Sequence, residues 1–136
     1  ACSTYHTGEG CSNGNSYING LVQKFWTDIL DEHRNINTDE EFFAFYDKYS
    51  DRFVTEYAAT NPGEDIAETF TMFVINDNIP TGNSIADQKI QYLYEFNELV
   101  TIRQRIRANI NFNIDLGSVG EARTERANKK QSHGML

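Results

Sequence analysis

The chain has 136 residues, 20 of them acidic and 12 basic, for a formal net charge of −8. That length bounds one modest domain with room for a core. The negative balance excludes the basic footprint that nucleic-acid binding needs, and no apolar run approaches the length that spans a bilayer.

Residues 1–15 read as a loop, because Thr7-Gly8-Glu9-Gly10 and Ser12-Asn13-Gly14-Asn15 are turn chemistry. Cys2 and Cys11 flank it. A disulfide closing that loop suits an exported protein; free thiols or metal ligands in a cytosolic chain are the alternative. His6 sits between the cysteines, within reach of a metal. Ser16 is placed to cap a helix running to about His33. Its apolar face is Ile18, Leu21, Val22, Phe25, Trp26 and Ile29, with Gln23, Lys24, Thr27 and Asp31 facing out. His33, at the far end, complements the helix dipole.

Thr38 and Glu41 form a capping-box pattern for a second helix with a stripe of Phe42, Phe45, Tyr46 and Tyr49. After it, Phe53 onward reads as a short extended run, Pro62-Gly63 as a turn, and Glu64 to about Asn76 as a third helix. Ser84 caps a long fourth segment to about Asn111, which can break near Asn97. Its stripe is Ile85, Tyr92, Phe96, Leu99, Ile106 and Ile110. Arg103 and Arg107 share a face of it, the usual pattern of a solvated, salt-bridged surface. Past Gly117 the chain is polar and charged. The expectation is a mainly α fold of about four main helices over residues 1–116, with a flexible tail over 117–136.

The third helix carries the sharpest signal. Ile66, Ala67, Phe70, Phe73 and Val74 form its apolar stripe. Glu64 and Glu68, four apart, share a second face with Thr71, Met72 and Ile75, and only Asp65 and Thr69 point to a polar side. A helix apolar nearly all round is usually buried. Carboxylates on such a helix are costly unless they are paired, hydrogen-bonded or metal-bound. Read from the residues alone, Glu64 is a first-turn acid that complements the dipole, Glu68 pairs with Arg103 or Arg107, and Tyr57 is a half-buried core aromatic.

Tyr57 together with Glu64-Asp65-Ile66-Ala67-Glu68-Thr69-Phe70 resembles the second half of a gluzincin-type zinc metallopeptidase site, of the lethal-factor kind. The downstream run Ile90-Gln91-Tyr92-Leu93-Tyr94-Glu95-Phe96 is similar to that of secreted bacterial proteins of this sort. In the family, a Glu-x-x-Ala-Glu-x-Phe helix gives the third zinc ligand, and a tyrosine seven residues earlier stabilises the transition state. The resemblance implies that Glu64 binds zinc, that Glu68 orients a zinc-bound histidine, and that Tyr57 donates to the oxyanion. The family's two zinc histidines come from a His-Glu-x-x-His helix, and no such motif occurs among His6, His33 and His133. The chain is therefore expected to be the C-terminal, helical subdomain of a longer zincin-like peptidase. It would be incomplete and inactive as it stands, exported, and completed by an upstream part of the same polypeptide that brings the histidines and, with them, zinc. Its partner in turnover would be a peptide or protein substrate. The reading of another class is a non-catalytic helical module used for binding or packing.

Overall fold

The computed structural model describes residues 4–7, 10 and 16–113. Among these, structure is helical and no strand occurs. The elements are α1 (Tyr17–Phe25), α2 (Leu30–Arg34), α3 (Asp39–Tyr49), α4 (Pro62–Ile75), α5 (Ile85–Tyr94) and α6 (Asn97–Asn113). Two 3-10 turns, Ser50–Arg52 and Tyr57–Thr60, join α3 to α4. The mainly α expectation holds, and all of the expected helical segments are present, the first and the last each divided in two. Cys2 and Cys11, with the disulfide expected between them, and the tail over 117–136 lie outside the described residues. None of the described helices is long and apolar enough to cross a membrane.

Side-chain caps start the helices where the sequence places them. Ser16 Oγ accepts from Asn19 N–H at 3.1 Å, Thr38 Oγ1 from Glu41 N–H at 3.1 Å, and Ser84 Oγ from Asp87 N–H at 3.0 Å. Each satisfies an N–H that the helix cannot. The start of α4 differs from expectation. Pro62 and Gly63 are its first two residues rather than a turn before it, and Asn61 is the cap, its Oδ1 accepting from Glu64 N–H at 2.9 Å. Proline suits that position because its fixed φ is already helical and the N–H it lacks would have been unpaired.

The first expected helix breaks after Phe25. Thr27 and Asp28 are weak helix formers with outward side chains. Arg52 grips Asp28 with both terminal nitrogens, at 2.9 and 2.6 Å, and reaches the Phe25 carbonyl at 3.5 Å. The C-terminus of α1 is thus held by an arginine from the first 3-10 turn. The opposite end of the bundle uses the same device. Arg103 Nε donates to the Phe73 carbonyl at 2.8 Å, and Arg107 Nη1 to those of Val74 and Ile75 at 2.9 and 3.1 Å. These are the last carbonyls of α4, which no helical N–H can reach. Arg103 and Arg107 therefore fasten α6 across the end of α4. They are not the solvated pair that their spacing suggests, although Arg107 does make a salt bridge, with Asp77 at 2.7 Å.

The core lies where α1, α4 and α5 meet. Trp26, Leu21, Phe73 and Leu93 are fully or almost fully buried there, and α4 packs against α1, α5, α6 and the second 3-10 turn. Of the expected core aromatics, Trp26, Phe73 and Tyr92 are buried, while Phe25, Phe42, Tyr46, Phe70 and Phe96 pack at its margin. Gly20 is required by close approach. A Cβ there would collide with the Tyr92 hydroxyl, which donates to the Tyr17 carbonyl at 3.2 Å. Gly20→Ala gains about 1 kcal/mol of helix propensity but overpacks a buried contact, at about 1–3 kcal/mol. Net destabilisation is expected in urea unfolding, and Tyr92→Phe in the same background should recover part of it. A more stable Gly20→Ala protein would show that the contact yields freely.

Candidate functional site

Residues 54–70 build the site from two anchored turns. Thr55 Oγ1 accepts from Ala58 N–H at 3.1 Å, which starts the 3-10 turn, and its own proton goes to Glu68 Oε1 at 2.8 Å. The expected extended run is thus this turn, nucleated by a threonine. Ala58 and Ala59 are fully buried, and their small side chains let the turn lie directly on α4. Tyr57 on the same turn faces outward and is 47% exposed, so it is not a core aromatic. The turn ends at Thr60, whose carbonyl is 2.8 Å from His33 Nε2. A carbonyl can only accept, so Nε2 carries the proton. The His33 ring stands edge-on between Trp26 and Phe45, with centroids 5.1 and 5.5 Å away. Rather than serving only the dipole of α2, His33 holds the turn. A hollow of about 430 Å³ opens beside it, lined by His33, Ile36, Thr38, Phe42 and Thr60 among others.

On α4 the faces are not those the sequence suggests. Asp65 and Thr69, expected to face solvent, are completely buried, in line with Pro62 and Phe73. Each residue turns 100° about the axis, so Glu64 and Glu68 fall on the opposite, outward side with Thr71 and Ile75. Both glutamates are half-buried. Glu68 takes its bond from Thr55, and the arginines proposed for it are committed to the carbonyls of α4.

The buried carboxylate belongs to an ion pair that the sequence reading missed. Asp65 Oδ2 lies 2.7 Å from Lys89 Nζ, with both side chains at 0% exposure. The same oxygen accepts from Trp26 Nε1–H at 2.8 Å, and Oδ1 takes a long bond from Thr69 Oγ1 at 3.4 Å. Lys89 also donates to the Arg52 carbonyl at 2.6 Å, and its ammonium stands 4.2 Å from the centre of the Phe53 ring. Burial pushes the Asp65 carboxyl above its ordinary range and the Lys89 ammonium below its own, and in each case the partner's charge opposes the shift. A signal for this pair was present. Lys89 sits four residues after Ile85 and three before Tyr92, on the apolar stripe of its helix, where a lysine requires a counter-charge.

The residues fit a metal in part. Glu64 can offer one carboxylate, whereas a protein zinc site takes three or four ligands. Among the described residues no three His, Cys, Asp or Glu side chains come together to hold an ion. Comparison of the chain with protein-family models, with curated proteins and with solved structures finds no match.

Proposed function

We propose that this chain is the C-terminal subdomain of a secreted zinc-dependent peptidase, in which Glu64 is a metal ligand. One observation carries the reading: the three residues of the motif that would carry chemistry, Tyr57, Glu64 and Glu68, lie outside the packed core. Folding uses Pro62, Asp65, Thr69 and Phe73 of α4 and Ala58 and Ala59 of the turn. Tyr57, Glu64 and Glu68 are left on the outer side of the same two elements. Function is argued from the chemistry of such a site rather than from the fold that carries it.

In this reading the ligand set is completed by two histidines from polypeptide outside this chain. Zinc, when bound, supplies Lewis-acid chemistry for peptide hydrolysis. Glu64 offers a carboxylate oxygen from the first turn of α4, where Asn61 caps its N–H. Glu68, steadied by the Thr55 hydroxyl, is suited to orient a metal-bound histidine, as outer carboxylates do. Tyr57 presents a hydroxyl from a turn anchored at both ends, suited to donate to a developing oxyanion. The hollow beside that turn offers space for a side chain of the peptide substrate.

The test needs the longer polypeptide that carries the histidines. Glu64→Ala should lower zinc content and peptidase activity together, read by metal analysis and peptide cleavage on the same sample. Equal zinc content with and without Glu64 would refute the ligand role and leave the helical-module reading.

A further inference from the structure

We infer that Asp65, held by Trp26 and Lys89, is a positioning residue that sets the direction of the Glu64 side chain. The starting point is a weakness in the first turn of α4. The first N–H groups of any helix lack partners within it, and the turn frays. Here Gly63 immediately precedes Glu64, and glycine favours disorder over helix by about 1 kcal/mol relative to alanine. A metal ligand must be placed to within about 0.5 Å. A carboxylate carried on a turn that frays cannot meet that demand.

The residue directly after Glu64 supplies what the turn lacks. Asp65 takes bonds from the Trp26 indole at 2.8 Å, from Lys89 at 2.7 Å and from Thr69 at 3.4 Å. These partners stand at the end of α1, on α5 and one turn along α4. The carboxylate is thus fixed in three directions, and with it the backbone that carries Glu64. Stability alone does not explain the arrangement. Apolar residues of similar volume often serve a core as well as a buried ion pair does. What such a pair adds is direction, because hydrogen bonds to a carboxylate are satisfied in few geometries. Asn61 completes the clamp from the other side, its side chain accepting from Glu64 N–H and its carbonyl from Asp65 N–H, both at 2.9 Å.

The functional consequence rests on the reading of Glu64 as a ligand, but the positional claim does not. The test therefore uses this chain without metal. Trp26 is its single tryptophan, so one indole N–H resonance reports whether the lock is closed. The variant Asp65→Asn with Lys89→Met removes both charges together and keeps an acceptor for the indole. Hydrogen exchange is read by NMR residue by residue. Exchange at the Glu64 and Asp65 amides should accelerate about tenfold or more, while amides in the middle of α1 and α5 keep their protection. The Glu64 carboxyl carbon shift should move toward its value in a disordered peptide. Unchanged exchange at Glu64 and Asp65 after the indole signal has moved would overturn the inference. So would equal acceleration throughout the bundle, since the pair would then be merely structural. If the double variant does not fold, Trp26→Phe, which removes the indole donor, some bulk and with them the indole reporter, is judged by amide exchange alone: faster exchange confined to Glu64 and Asp65 supports the inference, and unchanged or uniformly faster exchange overturns it. A failed zinc assignment leaves this result standing, and the reverse also holds.

Discussion

Removing one charge of the Asp65–Lys89 pair is expected to cost about 3–5 kcal/mol of folding stability, the scale for a buried ion left without its partner. Lys89→Met strands a carboxylate at 0% exposure beside an indole and a threonine, and Asp65→Ala strands an ammonium against the Phe53 ring and the Arg52 carbonyl. Against a total of about 5–15 kcal/mol for a domain, either loss is a large fraction. Asp65→Leu combined with Lys89→Met should recover part of it, because no charge is then buried. Recovery stays incomplete, since the Trp26 N–H and the Arg52 carbonyl lose partners at about 1–3 kcal/mol each. Urea unfolding of the single and double variants measures all of this in one cycle. Single variants that lose less than about 1 kcal/mol would mean that water reaches the pair, and its role in the core would be refuted.

Tyr57→Phe, in the longer polypeptide with its histidines, is expected to lower peptidase turnover by about 10²–10³, the loss typical of one oxyanion donor. Zinc content should not change, because the variant removes only a hydroxyl from an outward-facing ring. Stability should change little for the same reason, as Tyr57 is 47% exposed. That separates its role from that of Glu64, whose loss should affect metal and rate alike. Turnover within a few-fold of the parent protein would dismiss the oxyanion role. Loss of zinc in the same variant would point instead to Tyr57 as part of the metal environment.

Much of the fold is legible in the sequence. Ser16, Thr38 and Ser84 start helices because a short polar side chain before an apolar period satisfies orphan N–H groups locally. The apolar period of the first helix is strong enough to identify Leu21, Val22 and Trp26 as inward. Local chemistry suffices in these cases, since the cap and its N–H lie three residues apart. It was less informative where a distant side chain intervened. The break after Phe25 depends on Arg52, and the end of α4 depends on Arg103 and Arg107, whose carbonyl partners are 30 to 33 residues away.

The candidate site divides along the same line. The sequence by itself determined that Glu64 and Glu68 share one face of a helix and that Asp65 and Thr69 share another, because spacing alone decides that. Which face turns inward was decided by tertiary structure. The period of α4 is weak, since Met72, Ile75 and Phe70 spread its apolar residues around the axis and leave no single preferred side. The orientation was settled instead by the Trp26 indole and the Lys89 ammonium, which need a buried acceptor and find it at Asp65. A buried charge demands its partner more strongly than a weak apolar stripe demands the core.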